Sequence, residues 1–270
     1  MHRLGIELLS VFSMPPVDHV TLAADLGCDC ISLGLTNTDY NPHGYAPFSL
    51  RDDLALRRET KAAMRDRGIA ISLGEGCLIR PGIGAKDMAA DMDILAELGC
   101  ERINTLSIDR DPARSLDEFA LFAEMVAERG MVSTIELVPT LPIGTLDKAL
   151  ATLTHVGRPD LRLLLDTMHL RRLRITPEQI AAIDPALIDY VQLCDAPDSL
   201  TDKDYMYAAV QERMVPGEGD VPLSDYIAVL PSDITYALEV PLSAQAEAGV
   251  GPQVRVGRCV EAARRLLGDA

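Results

Sequence analysis

The feature that most constrains the fold of this chain is a regular alternation of short apolar runs and amphipathic segments along its 270 residues. A short apolar run without polar alternation is typical of a strand that is buried on both faces. Such runs predict strands at 4–9, 30–35, 69–74, 101–107, 131–137, 161–166, 188–194 and 234–240. The segments between them predict helices near 16–27, 51–68, 85–98, 113–129, 145–156, 176–183, 223–230 and 252–267.

Eight strand-then-helix units predict an α/β protein, a single (β/α)8 TIM barrel in which residues 1–270 form one domain. An open, doubly wound sheet is the rival architecture. It would be favoured by a glycine fingerprint at the start of the first helix, and the segment VFSMPP has none. The connections 36–50 and 195–222 are unusually long and follow strands, so we expect them over the C-terminal face, where barrel active sites form.

Composition narrows the range of partners and compartments. A net charge of −16 argues against binding to nucleic acid or to an anionic membrane surface. The six cysteines have no zinc-ribbon spacing, which predicts reduced thiols in the core. The N-terminus has no signal-peptide pattern and no apolar run approaches membrane-spanning length, so a cytoplasmic protein is expected.

Polar residues stand near the C-terminal ends of the last four predicted strands: Glu136, Asp166, Gln192 and Glu239. Each lies among apolar neighbours, and buried carboxylates that converge need a counter-charge because an unpaired one is very costly. Three carboxylates and an amide oxygen form a hard oxygen-donor set. This set predicts one divalent cation, with Mg²⁺ or Mn²⁺ preferred and Co²⁺ or Zn²⁺ as alternatives. The other interpretation is that each acid pairs separately with a Lys or Arg inside the barrel.

Five segments together resemble one family, the xylose-isomerase-like barrels: IEL at 135–137, DTMH at 166–169, VQLCDAP at 191–197, RMVPGEGD at 213–220 and LEV at 238–240. That superfamily holds sugar isomerases and epimerases, inosose and 3-dehydroshikimate dehydratases, and the endonuclease IV type of DNA-repair enzyme. The resemblance implies that the metal is bound by Glu136, Asp166, Gln192 and Glu239. It also implies that the protein forms dimers or tetramers.

The same resemblance implies that His169 and Arg213 face a small-molecule substrate, and that Glu136 and Glu239 match the two glutamates that serve epimerases as acid and base. His169 follows Asp166 by three residues, so its ring can lie over the metal. Arg213 lies in a long connection, where a guanidinium can bind a carboxylate, a phosphate or a pair of hydroxyls. Weaker candidates for the rest of the substrate pocket are Glu75, His43, Glu7 and Ser107.

A metal that chelates a carbonyl and its neighbouring hydroxyl stabilises the enediolate formed when an adjacent proton leaves. The sequence therefore predicts a divalent-metal-dependent isomerase or epimerase of a sugar-like or keto-polyol substrate. A dehydratase that uses the same metal site is the alternative, because Gln192, where most such epimerases have His, resembles the 3-dehydroshikimate dehydratase branch.

A third hypothesis is a non-catalytic barrel that binds a metal or a metabolite. A DNA-repair endonuclease is disfavoured because its zinc site needs many histidines and this chain has five. Arg213 also stands where a zinc-binding His is expected in that branch.

Overall fold

The computed structural model describes residues 3–198 and 202–269. Its strands are β1 (Arg3–Ile6), β2 (Cys30–Leu33), β3 (Ala70–Ile79), β4 (Arg102–Ser107), β5 (Val132–Glu136), β6 (Leu161–Asp166), β7 (Ile188–Leu193) and β8 (Thr235–Leu238). Each strand pairs in parallel with the next in sequence, and β8 pairs with β1 to close the barrel. The predicted (β/α)8 TIM barrel is therefore confirmed.

Helices surround the barrel and cap its C-terminal face. They are α1 (Leu8–Val11), α2 (Pro16–Asp25), α3 (Leu54–Arg67), α4 (Ala89–Leu98), α5 (Pro112–Ala127), α6 (Leu146–Val156), α7 (Thr167–Arg172), α8 (Pro177–Ala181), α9 (Asp202–Gln211), α10 (Leu223–Val229), α11 (Ser243–Glu247) and α12 (Pro252–Leu267). Two 3₁₀ turns, Ala85–Met88 and Pro185–Leu187, precede α4 and β7. No helix among these described residues is long and apolar enough to cross a membrane.

Local sequence explains where the outer helices begin and end. Asp53 caps α3 by accepting hydrogen bonds from the backbone N–H groups of Ala55 and Leu56, which the helix itself cannot pair. Gly68 ends the same helix with a φ of 71°, a left-handed conformation that costs glycine no steric strain. These two signals define where α3 begins and ends between β2 and β3.

The hydrophobic core has two layers, as expected of a barrel. The larger one lies between the strands and the outer helices. The smaller one fills the barrel interior and consists of Leu73, Leu164, Tyr190 and Ala237, all fully buried. These four residues form a floor beneath the polar side chains at the C-terminal face. All six cysteines are buried and free, which confirms the prediction of reduced core thiols.

Two predicted strand ends are wrong, and one predicted connection contains a helix. The first strand ends at Ile6 rather than residue 9, because the chain turns into α1 at Leu8. Strand β3 continues to Ile79, five residues beyond its predicted end, after a register irregularity between Gly74 and Cys77. The connection 195–222, predicted without regular structure, contains α9.

Candidate active site

The strands bring the four predicted ligands to one end of the barrel. Asp166 and Gln192 are direct partners in the β6–β7 register, and Gln192 in turn pairs with Ala237 on β8, two residues before Glu239. Glu136 ends β5 opposite Leu164 of β6. All four side chains are buried, with exposures between 1% and 9%. Their position at the C-terminal ends of successive strands is the place where barrel enzymes hold catalytic groups.

Glu136 contacts two neighbouring polar side chains. Its Oε1 lies 3.1 Å from His169 Nε2, and its Oε2 accepts a hydrogen bond of 3.0 Å from Asn104 Nδ2. Asn104 is itself oriented by Thr134, whose hydroxyl donates to its Oδ1 at 3.1 Å. Strands β4 and β5 therefore fix the glutamate, while its other oxygen faces a group that can exchange a proton.

His169 lies in the first turn of α7, directly after β6. Its backbone N–H donates to Asp166 Oδ1 at 3.0 Å, so Asp166 both caps α7 and sets the position of the imidazole. The ring's Nδ1 lies 3.7 Å from the same oxygen and makes a short hydrogen bond with the Tyr205 hydroxyl. The structure thus places the His169 ring beside the Glu136 and Asp166 carboxylates.

Arg213 is buried between two of the predicted ligands. Its Nη1 makes a short ion pair with Asp166, and its Nη2 lies 2.6 Å from Glu239 Oε2. Its Nε donates to the Ala209 carbonyl oxygen at 2.8 Å. Arg213 is thus buried and is not a surface residue of the long connection. It is the positive charge inside the carboxylate cluster, held there by α9.

Gln192 and Glu239 are joined by a hydrogen bond within the same cluster. Gln192 Nε2 donates to Glu239 Oε1 at 3.1 Å, so the amide oxygen of Gln192 faces the other way. That Oε1 is buried and has no hydrogen-bond partner among the described residues. A buried amide oxygen without a donor is costly, and a cation is one group that satisfies it.

Glu7 and Glu75 bring two more carboxylates to the same end of the barrel. Glu7, which follows β1, accepts a 2.7 Å hydrogen bond from the Tyr190 hydroxyl. One carboxylate oxygen from each of Glu7, Glu75 and Glu239 lies within 4.8 Å of the other two. Two negative charges at that separation repel by about 3–4 kcal/mol at an effective dielectric constant of about 20. Arg213 alone cannot neutralise so many acids.

The pKa values reflect this excess of negative charge. Burial raises the pKa of Glu7 to about 7, and it raises those of Glu75 and Glu239 well above their usual range, with neighbouring carboxylates adding to each rise. Burial also acts to raise the pKa of Asp166, but the charges of Arg213 and His169 outweigh it and hold that pKa at about 2. The cluster thus needs protons or a further cation to be stable.

A divalent cation fits these residues. Glu136, Asp166 and His169 each offer one ligand atom within 4.8 Å of the others, and Glu7, Glu75 and Glu239 form a second such group. The unpartnered amide oxygen of Gln192 is a further oxygen donor at this end of the barrel. Carboxylate and amide oxygens are donors that hard cations prefer, and an added imidazole broadens the range to Zn²⁺ or Mn²⁺. The structure therefore contains a possible acidic metal site.

Two weaker sequence candidates lie apart from this cluster. His43 Nε2 faces Arg255 Nη2 at 3.0 Å, in the 36–50 connection between β2 and α3. Ser107 forms a 2.9 Å hydrogen bond with Ser115, at the start of α5. Neither contact involves the Glu136 or Glu239 carboxylates.

The sequence reasoning missed Tyr205 and Asn104. Tyr205 was overlooked because the long connection 195–222 was treated as irregular. A signal was available in DYMYAAVQER, since Met, Ala, Gln, Glu and Arg favour helices and this run ends at Arg213. Asn104 stands in the run RINTLS, three residues before the strand ends at Ser107, and its side chain reaches Glu136.

Comparison with known proteins agrees with this fold. Residues 20–251 match the family model described as xylose isomerase-like TIM barrel. A curated relative, 3-dehydroshikimate dehydratase of Pseudomonas aeruginosa, is 27% identical over 184 residues, which are 63% of this chain and 29% of that protein. The chain thus matches less than a third of that relative's length, and the remainder of the relative has no counterpart in the alignment.

Solved structures agree with the fold at low sequence identity. The IolI protein with a bound zinc atom has a TM-score of 0.80 at 15% identity, covering 98% of both chains. A probable 3-DHS dehydratase, AsbF of Bacillus anthracis, has a TM-score of 0.72 at 18% identity over 98% of both chains. A D-psicose 3-epimerase has a TM-score of 0.73 at 15% identity over 98% of this chain and 99% of its own. With the family model matching most of its length, this chain belongs to the xylose isomerase-like TIM barrel family.

Proposed function

We propose that this protein is a divalent-metal-dependent dehydratase of a hydroxylated cyclic or open-chain ketone. Glu136, Asp166, Gln192 and Glu239 would hold one Mg²⁺ or Mn²⁺ ion, with Co²⁺ or Zn²⁺ as possible replacements. The bound cation would polarise the substrate carbonyl and stabilise the enolate that forms when the adjacent C–H proton leaves.

One observation carries this proposal: the two glutamates have unlike partners. Glu136 contacts His169 Nε2 at 3.1 Å, and His169 can deliver a proton. Glu239 is bound by the Arg213 guanidinium and the Gln192 amide N–H, and neither group exchanges a proton at neutral pH. An elimination needs such unlike groups, a base for carbon and an acid for oxygen, whereas an epimerase needs a base on each face of the substrate.

The roles of the chain's own residues follow from these contacts. Glu239 accepts the proton from the carbon next to the carbonyl. The electron pair of that C–H bond forms the new C=C bond as the β-hydroxyl leaves, and His169 delivers the proton with which the hydroxyl departs as water. Glu136 and Asp166 hold the imidazole in place, and atoms and electrons balance without an oxidant or a reductant.

Isomerisation or epimerisation, the function expected first from the sequence, is the second candidate. It is supported by the shared fold of a D-psicose 3-epimerase and by Glu136 and Glu239, which belong to two groups of residues that could each hold a cation. In that reaction Glu136 would replace His169 as the group that returns the proton, to carbon rather than to oxygen.

The experiment incubates Mg²⁺-loaded protein in D₂O with 3-dehydroshikimate and with a panel of ketoses. Deuterium at the carbon next to the carbonyl of the recovered substrate reports reversible enolisation. A new conjugated chromophore indicates dehydration, and a new sugar without a chromophore indicates epimerisation or isomerisation.

Variants then test the assigned site. Glu136→Gln and Glu239→Gln should each lose bound metal, measured by elemental analysis, and slow deuterium exchange by at least about 100-fold. Glu118→Gln, on the outer helix α5, is the matched control and should change neither. Full exchange in both site variants, with metal content unchanged, would contradict the proposal.

A further inference from the structure

Helix α9 provides an additional buried hydroxyl at the candidate active site. Tyr205 is 1% exposed, and its hydroxyl makes a short hydrogen bond with His169 Nδ1. The His169 and Tyr205 ring centroids lie 5.7 Å apart. The guanidinium of Arg172, also on α7, lies 5.5 Å from the Tyr205 ring centroid. The tyrosine is therefore held by two residues of α7.

The polarity of this hydrogen bond follows from its surroundings. A phenol holds its proton at neutral pH, and this one is buried. A neutral phenol in this position donates to an acceptor, and the unprotonated Nδ1 of a neutral imidazole is one. The remaining imidazole proton then lies on Nε2, which is 3.1 Å from the accepting oxygen of Glu136.

Without the Tyr205 hydroxyl, Nδ1 would face a different partner. Asp166 Oδ1 lies 3.7 Å from Nδ1, and a carboxylate only accepts hydrogen bonds. That neighbour would then compete for the imidazole proton with Glu136, which lies 3.1 Å from Nε2. Tyr205 and Asp166 thus favour opposite tautomers of His169.

The same helix also holds Arg213. The Ala209 carbonyl oxygen accepts from Arg213 Nε at 2.8 Å. At the end of α9, Glu212 accepts hydrogen bonds of 2.9 Å from the Ser243 hydroxyl and the Ala244 backbone N–H. The placement of α9 therefore determines the positions of two polar side chains that the carboxylate cluster uses.

From these contacts we propose that Tyr205 is a positioning residue that fixes His169 in its Nε2–H tautomer, so that the imidazole presents a proton toward Glu136 and the substrate. The effect on rate rests on the proposed function, but the effect on the tautomer does not. Tyr205 touches His169 and no reacting atom, and it acts only through the imidazole.

The test compares Tyr205→Phe with the wild type in the Mg²⁺-loaded protein, both labelled with ¹⁵N-histidine. Long-range ¹H–¹⁵N correlation spectra distinguish a protonated from an unprotonated ring nitrogen, and loss of signals in His169→Asn assigns the ring. We expect a protonated Nε2 in the wild type and a shift of the proton toward Nδ1 in Tyr205→Phe. Tyr207→Phe removes an exposed hydroxyl from the same helix and is the matched control.

If dehydration or enolisation is observed, Tyr205→Phe should lower kcat by about 10- to 100-fold with KM changed by less than about 3-fold, as expected when an acid–base group has the wrong proton. A wild-type spectrum with the proton on Nδ1 would overturn the inference. So would His169 resonances that are identical in Tyr205→Phe and the wild type. A protein that shifts its tautomer but turns over none of the substrates would refute the proposed function and leave the tautomer assignment standing.

Discussion

At the scale of single residues, the position of Arg213 is what the sequence could not supply. The motif RMVPGEGD indicated an arginine near the substrate, but its pairing with Asp166 and Glu239 depends on the path of the connection after β7. Separate pairing of each acid with its own Lys or Arg is not what the structure has. An arginine pairs two of the carboxylates, and the remaining charge and the unpartnered Gln192 oxygen still favour a cation.

The charge of Arg213 gives a prediction for the metal-free protein. Arg213→Gln leaves Asp166 and Glu239 buried without their partner, so the free energy of unfolding should fall by about 3–5 kcal/mol in urea titrations with EDTA present. Added Mn²⁺ should then stabilise the variant more than the wild type, because the cation replaces the missing charge.

Arg65→Gln is the control for this measurement, since Arg65 pairs with Asp66 in a pair whose side chains are 75% and 62% exposed. Exposed pairs contribute about 0–1 kcal/mol. Equal urea midpoints for Arg213→Gln and Arg65→Gln would mean that the buried pair does not compensate the carboxylates.

At the scale of elements, the sequence predicts what depends on hydrophobic periodicity. The eight strands are predictable because burial on both faces gives a short, continuous apolar run. The outer helices are predictable because burial on one face gives an apolar residue at every third or fourth position. Helix α7 was missed because two turns at the barrel mouth carry no such period, and α9 because its connection is long. The four predicted ligands stand close together because strand ends fix them, whereas Tyr205 and Asn104 reach the site through contacts across the sequence that no local pattern records.

The turn that follows Arg213 is the element most sensitive to a small change. Asp195 is buried, and its carboxylate accepts from the backbone N–H groups of Gly217 at 2.9 Å and Val221 at 3.0 Å. A Cβ at Gly219 would lie 2.4 Å from Asp195 Oδ1 and 2.7 Å from the Ala196 carbonyl oxygen. The turn therefore packs too closely on Asp195 to accept a methyl group.

Gly219→Ala should accordingly lower the free energy of unfolding by about 1–3 kcal/mol, the usual cost of overpacking. It should also weaken Mn²⁺ binding in calorimetric titrations, because the turn sets the position of Arg213 and of the end of β7. Gly251→Ala is the control, since its added Cβ meets nothing within 4 Å. An unchanged melting temperature and an unchanged Kd for Mn²⁺ in Gly219→Ala would count against this role.

At the scale of the whole molecule, the two ends of the barrel differ in chemistry. The C-terminal end gathers an excess of carboxylates around Arg213, whereas the N-terminal end carries balanced ion pairs. There, Asp189 of β7 pairs with Arg102 of β4 in a short contact and with Arg162 of β6 at 2.6 Å. Glu101 pairs with Arg102 at 2.8 Å and with Arg3 of β1 at 2.6 Å. This ion-pair network connects strands β1, β4, β6 and β7 at the N-terminal end of the barrel.

Such a division predicts that stability and activity can be changed separately. Asp189→Asn removes the negative charge between Arg102 and Arg162 and should lower the free energy of unfolding by about 2–4 kcal/mol. That is less than for a fully buried pair, because the Arg162 side chain is 36% exposed and water screens part of the interaction. Bound metal and the rate of deuterium exchange should remain within about 2-fold of the wild type, since functional groups of barrels lie at the opposite end.

Asp93→Asn provides the comparison for this prediction, because Asp93 pairs with Arg129 while its own side chain is 64% exposed. Its effect should stay below about 1 kcal/mol. Urea unfolding at pH 7 and metal analysis of the same preparations measure both properties. If Asp189→Asn lost metal while its urea midpoint stayed at the wild-type value, the N-terminal end of the barrel would be coupled to the site at its C-terminal end. Tyr190, which spans the interior from β7 to Ser72 and Glu7, would then be the first residue to test as the link.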